Sequence, residues 1–317
     1  MHGFSGVVVA VVTPYKGGGG IDFEAFKWLL EGLASAGVDG VWVAGTTGEW
    51  TSLSHDERIK LFQAAVEAVG GRVTVFGGVS SLRVEDSIML AREASDAGVD
   101  YIFSTPPLYY KPGRQALARY YLKLADSSDR PIFIYTIPSH VGYNIPVGLV
   151  EELALESNGI AGIKATVNDY TYIGELVLRV KRARSDFTIL SGSEELMLHT
   201  LSIGGDGSVS AVANILPGLP VALRNAWSSK DLDEASRVNK LIVEARNLVE
   251  GIDAPLPLAV KSLINKLGGR ITPISRPPVS GIADVAREAI EVCRRFHEYL
   301  HPGIPCRGEE GYRIQYI

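Results

Sequence analysis

Cysteine is nearly absent. Cys293 and Cys306 are the only two in 317 residues, which excludes a fold stapled by many disulfides. Whether these two pair depends on a distance that a sequence does not contain. No apolar run approaches the ~20 residues of a membrane helix. The early run Val7 to Val12 has no basic segment before it and no cleavage pattern after it, so it reads as a buried strand and not as a signal peptide. Basic residues are not in excess: 31 stand against 36 acidic ones, for a formal charge of -5. Nucleic-acid binding would call for basic patches facing phosphates. No H-E-x-x-H or C-x-x-C motif occurs, and the six histidines (His2, His55, His140, His199, His297 and His301) are scattered, which speaks against metal-dependent chemistry. His297 and His301 share a helical face that ends at Pro302 and read as solvated. What the chain does have is 46% hydrophobic and 21% charged residues, enough to build a large core. The expectation is a cytoplasmic protein with no membrane or nucleic-acid partner and no metal or cofactor.

One unit repeats along the chain. Ala34-Ser35-Ala36-Gly37-Val38-Asp39-Gly40-Val41 parallels Ala94-Ser95-Asp96-Ala97-Gly98-Val99-Asp100-Tyr101. In each a helical pattern ends, a glycine suited to the left-handed position follows, and a short apolar run begins. Eight such strands read near 6–12, 40–44, 73–77, 101–104, 131–135, 160–164, 188–191 and 207–212. They are apolar on both faces, as parallel strands covered by helices are. Asp22 opens a helix with Phe23, Phe26, Leu29, Leu30 and Leu33 on one face, and Ser54 with Glu57 forms a capping box for the next. Eight βα units predict an α/β fold, a closed (β/α)₈ TIM barrel, over residues 1–228. An open doubly wound sheet loses because no phosphate-binding glycine fingerprint follows the first strand; Gly17 to Gly20 read as a flexible loop. Beyond that, residues 230–249, 255–267 and 281–300 predict three helices, a C-terminal appendix over 229–301 packed on the barrel. Residues 302–317 form a polar tail. The charge clusters Glu151-Glu152 and Lys181 to Arg184 read as solvated faces.

Chemistry in such a barrel sits at the carboxyl ends of the strands. Lys164, in Gly159-Ile160-Ala161-Gly162-Ile163-Lys164-Ala165, is the one cation inside a predicted strand core. A buried ammonium is costly unless paired or deprotonated, and a neutral amine attacks carbonyls. The period of two predicts open space at Gly162 on the same face. The residues alone leave two readings: a nucleophile, or a strand-end lysine reaching solvent or paired with Glu49 or Glu194. Tyr135 is likewise a core aromatic or a proton carrier. The turn Gly45-Thr46-Thr47-Gly48 could hold a carboxylate on backbone N–H groups or merely join two elements. Tyr109 and Tyr110, in a Pro-rich loop, suggest a binding or subunit surface.

Together, Gly45-Thr46-Thr47-Gly48-Glu49, Tyr135-x-x-Pro138, Gly162-Ile163-Lys164 and Ser191-Gly192 resemble the dihydrodipicolinate synthase / N-acetylneuraminate lyase superfamily, over about residues 4–300. The resemblance implies a class I aldolase, a homotetramer built as a dimer of dimers. It implies that Lys164 forms a Schiff base with pyruvate or another 2-keto acid and that Tyr135 shuttles protons. Thr46 would link Tyr135 to Tyr109 of a neighbouring subunit. The substrate would be bound by Thr46, Thr47, Gly192, Val209 and His140.

Two departures matter. His140 stands where dihydrodipicolinate synthases carry an arginine for the second substrate's carboxylate, and a histidine does not reproduce that bidentate fork. Thr136 replaces the usual asparagine. The chain therefore looks nearer to an aldolase that cleaves a 2-keto-3-deoxy sugar acid to pyruvate and an aldehyde. The alternatives are dihydrodipicolinate synthase, which condenses pyruvate with aspartate semialdehyde, a dehydratase on the same fold, and a catalytically silent keto-acid-binding protein.

Overall fold

The computed structural model describes residues 3–306. Eight strands, β1 (Gly6–Ala10), β2 (Gly40–Val43), β3 (Thr74–Gly78), β4 (Tyr101–Ser104), β5 (Ile132–Thr136), β6 (Ile160–Ala165), β7 (Thr188–Ser191) and β8 (Gly207–Ser210), close into a barrel. Every neighbouring pair is parallel, and β8 pairs with β1. Helices α1 (Phe23–Ser35), α2 (His55–Val69), α3 (Val84–Asp96) and α4 (Arg114–Asp126) follow the first four strands. The short α5 (Pro138–Val141) and α6 (Val147–Glu156) follow β5, and α7 (Tyr170–Leu176), α8 (Met197–Ser202) and α9 (Gly218–Ser228) follow the last three. The (β/α)₈ expectation holds.

The local signals act as their chemistry requires. Asp22 accepts the Ala25 N–H at the start of α1, and Ser54 and Glu57 form the reciprocal box at α2. Gly37 and Gly98 both adopt positive φ, 84° and 88°, between helix and strand. Two hydrophobic layers result. The larger lies between strands and helices. The smaller fills the barrel interior with Val8, Trp42, Phe76, Phe103, Phe133, Tyr135, Leu190 and Val209. Trp42 stacks on Phe103 at 3.8 Å between centroids, and Phe76 meets Phe133 edge to face at 5.1 Å. The barrel floor is thus an aromatic plug that leaves little room for water below its mouth.

After α9 come α10 (Leu232–Glu250), α11 (Leu256–Lys266) and α12 (Ala286–Phe296). α10 packs on α9, α11 on α10, and α12 on α11. The last helix starts later than the expected residue 281, at Ala286, just after a turn in which Asp284 accepts the Ala286 N–H at 3.2 Å. No helix among the described residues is long and apolar enough to cross a membrane.

Several expectations need correction. His301 is not solvated but 1% exposed. Its Nε2–H donates to the Leu29 carbonyl at 3.0 Å, and its Nδ1 accepts the Gly303 N–H at 3.1 Å. The ring lies where a Cβ on Gly32 would stand, 2.0 Å from Nε2, so glycine in α1 makes its seat. Gly17 to Gly20 form a defined turn: Tyr15 and Ile21 bridge across it, and the Gly19 carbonyl accepts from Arg276 Nε at 2.8 Å. The basic cluster is only partly solvated, since Lys181 pairs with Asp206 and Arg184 donates to the Ala154, Ser157 and Ile160 carbonyls. Cys293 and Cys306 form a disulfide with a Cα–Cα distance of 5.7 Å. The start of the polar tail is therefore tied down, while residues 307–317 lie outside the described part of the chain.

Two measurements follow. The disulfide closes a separation of 13 residues, so Cys306→Ser should lower unfolding stability by about 3 kcal/mol in denaturant titrations under oxidising conditions. Burial lowers the His301 pKa, and both ring hydrogen bonds use the neutral form. A depressed folded-state pKa contributes stability that is present above the unfolded value of about 6.5 and lost as pH falls below it. Melting temperature should therefore drop between about pH 6.5 and 5, and His301→Gln should flatten that part of the profile.

Candidate active site

The β5–β6 register sets Tyr135 directly beside Lys164. Parallel neighbours at one level point the same way, so both side chains enter the barrel together. Lys164 is 4% exposed. Its Nζ stands 4.2 Å from the Tyr135 ring centroid and 5.1 Å from that of Trp42. Neither acid considered as its partner pairs with it: Glu49 binds Lys261, and Glu194 faces Arg246. Among the described residues, no carboxylate forms an ion pair with Lys164. Tyr135 reaches the turn after β2, its hydroxyl 3.3 Å from Thr46 Oγ1.

That turn is tightly built. Glu49 N–H donates to the Thr46 carbonyl at 3.1 Å and Trp50 N–H to Gly45 at 3.2 Å, while Thr13 Oγ1 donates to the Gly48 carbonyl at 2.7 Å. Among the described residues, the N–H groups of Thr46 and Thr47 have no acceptor, and both residues line the cleft above Lys164. Two adjacent free amides beside an amine suit a small carboxylate.

The cleft encloses about 870 Å³ and is lined by Thr46, Thr47, Tyr135, His140, Lys164, Gly192 and Val209. Seven of the eight residues singled out from the sequence therefore meet in one place. The eighth, Tyr109, is not among the lining residues. It is 89% exposed at φ 71°, with its ring edge to face on Tyr110 at 4.9 Å. His140 sits at the exposed rim with its Nδ1 3.0 Å from Ser139 Oγ. Desolvation by the cleft wall, then the Lys164 charge, lower its pKa. Thr136, in place of asparagine, is buried, and its Oγ1 accepts the Ile145 N–H at 3.5 Å.

Gly162 does not leave open space. A Cβ there would lie 2.5 Å from Phe133 Cε1 and 2.7 Å from the Thr188 carbonyl oxygen; the glycine admits the aromatic floor below the lysine. Room beside Lys164 comes from Gly192, where a Cβ would fall 1.9 Å from Thr166 Oγ1 and 2.9 Å from Lys164 Cε.

Sequence reasoning misses the cleft's charged wall. Arg246, from α10, lies 3.1 Å from Glu194 Oε2 and 3.7 Å from Glu195 Oε2, and it also binds Glu250. Burial raises the Glu194 pKa against the pull of Arg246. Arg246, Glu250, Pro255 and Leu256 bring the C-terminal helices into the cleft.

The signature of the dihydrodipicolinate synthetase family matches residues 3–293. The chain belongs to this family. An uncharacterized DapA-like lyase of Thermofilum pendens is 38% identical over 294 residues, covering 90% of this chain and 97% of that one. The probable 2-dehydro-3-deoxy-D-pentonate aldolase YjhH of Escherichia coli is 30% identical and covers 92% and 97%. The crystal structure of YagE from E. coli K12, in complex with pyruvate, has a TM-score of 0.88 at 29% identity and covers 93% and 99%; YagE is named a putative 2-dehydro-3-deoxy-D-gluconate aldolase. Family and fold agree with the resemblance read from the motifs; these sequence relatives are named lyases and aldolases, and other similar solved structures are dihydrodipicolinate synthases.

Gly192→Ala tests the crowding around the lysine. The added methyl must push Thr166 or the Lys164 stem aside. Turnover should fall at least about a hundredfold, as for a misplacement of about 1 Å at a reacting centre, with an unchanged circular dichroism spectrum.

Proposed function

We propose that the protein is a class I aldolase that cleaves a 2-keto-3-deoxy sugar acid to pyruvate and an aldehyde, or runs the same steps in reverse. The observation that supports this most is a buried Lys164, without a carboxylate partner, beside a tyrosine whose hydroxyl meets Thr46. In this reading the Lys164 amine adds to the C2 carbonyl, and loss of water gives a protonated imine. The substrate carboxylate rests on the Thr46 and Thr47 amides. Tyr135, linked to Thr46 and having given its own proton to the departing water, removes the C4 hydroxyl proton. The C3–C4 bond then breaks, its electrons pass into the imine as an enamine, and the aldehyde departs. Protonation at C3 and hydrolysis of the imine release pyruvate and restore the amine.

His140 supports the sugar-acid reading over dihydrodipicolinate synthase. A neutral imidazole at the rim accepts or donates one hydrogen bond to a hydroxyl, whereas an anionic aldehyde calls for a fixed cation. Arg246, the cation in this cleft wall, is already engaged by carboxylates. The names of YjhH and YagE point the same way.

The exposure of Tyr109 and Tyr110 supports assembly with further copies, a homotetramer in which Tyr109 serves a neighbour's site. A cytoplasmic setting suits a small-metabolite lyase, and intracellular disulfides occur in chains adapted to heat.

Incubation with pyruvate and borohydride should add the mass of a reduced pyruvyl group, and Lys164→Arg should abolish the gain while leaving the fold intact. No gain with any 2-keto acid would overturn the enzyme reading. Pyruvate with glyceraldehyde should condense faster than pyruvate with aspartate semialdehyde; the reverse order would defeat the sugar-acid assignment. Tyr135→Phe should slow turnover by about a hundredfold or more while imine trapping persists.

A further inference from the structure

The turn that carries Thr46 and Thr47 is bracketed by two non-glycine residues in the left-handed region, Ala44 at φ 54° and Glu49 at φ 57°. Such a conformation persists only where the surroundings enforce it. At the Glu49 end the enforcement comes from far along the chain. The Glu49 carboxylate and the Lys261 ammonium of α11 are both 0% exposed and lie 2.5 Å apart. Lys261 Nζ also donates to the Ile274 carbonyl at 2.5 Å and to the Thr13 carbonyl at 3.3 Å, which uses all three of its donors. Glu49 in turn accepts from Ser275 Oγ and from the Arg276 N–H, each at 3.3 Å. Thr13 closes the circuit, because its own hydroxyl holds the Gly48 carbonyl.

We propose that Glu49 and Lys261 are positioning residues: their buried pair locks the Thr46–Thr47 turn to the C-terminal helices in the conformation that presents two free amides and the Thr46 hydroxyl to the substrate carboxylate. The proposal rests on the reading of that turn as the carboxylate site. A buried ion pair supplies little net stability compared with an apolar replacement, and its best-attested use is to fix one arrangement among several. Here that arrangement is a strained turn at the mouth of the cleft. Neither group touches the reacting atoms. Their loss should therefore appear in binding of the keto acid more than in the capacity of Lys164 to form an imine.

The test is the pyruvate concentration that gives half-maximal borohydride trapping, measured by intact mass on full-length protein. Glu49→Gln and Lys261→Met should each raise it about tenfold or more, with the trapped fraction at saturating pyruvate unchanged. A purely structural pair would lower the melting temperature and leave half-saturation where it was. Ser275→Ala removes one hydrogen bond to Glu49 without removing a charged residue and guards against misfolding of the charge variants; it should raise half-saturation about threefold. The Glu49→Gln/Lys261→Met double variant, which leaves no lone buried charge, should recover the melting temperature without recovering pyruvate affinity. Folded variants with wild-type half-saturation would overturn the proposal. Failure of the wild-type protein to trap pyruvate would instead overturn the aldolase reading beneath it.

Discussion

Closing eight parallel strands into a ring leaves one shared interior for every inward side chain, and strand register decides which of them stand together. The β5–β6 pairing sets Tyr135 level with Lys164, and the β6–β7 pairing sets Lys164 level with Leu190. A slip of one residue in either strand would turn the amine or the phenol out into the helical layer. The aromatic floor of Trp42, Phe103 and Phe133 fills the space beneath. It is the packing of that floor, more than any bond to the lysine, that keeps the amine at the mouth and the water below it out.

Four buried or half-buried cations show how differently this fold answers charge. Arg58 donates to the Ser80 and Trp50 carbonyls and lies 5.0 Å from the Trp50 ring centroid, and burial pulls its pKa down to about 10. Lys261 has a carboxylate and two carbonyls, and burial still lowers its pKa. Arg246 is ringed by carboxylates, and their charges raise its pKa despite burial. Lys164 has aromatic faces and, among the described residues, no ion-paired anion. An unpaired amine is a poor structural element, because desolvation of its charge is not offset. In the proposed reading that same amine is the nucleophile.

Much of the fold was legible because the chain repeats itself. Paired glycines after helices, capping residues and short apolar strands are local signals, and local signals survive folding. Lys164 was legible because a charge inside a fully apolar strand is expensive in any context. Lys261 carries the same signature within Leu256 to Ile264, but a helical run tolerates one polar position per turn, and the signal is lost in the period. Arg246 stands near Glu244 and Glu250 on a helix with many charges, a pattern indistinguishable from a solvated face until Glu194 is seen opposite. His301 and the Cys293–Cys306 bridge depend on distances between elements, for which the sequence has no local marker. The seat for His301 is a glycine in α1, far removed in the chain.

The cleft has two kinds of wall. Strand ends and their loops hold the groups beside the amine, whereas Arg246, Glu250, Pro255 and Leu256 come from the helices that follow the barrel. Divergence of this outer rim can proceed without disturbing a single strand. Such a division lets the outer wall be reshaped from the helices while the strand ends keep their places around the amine.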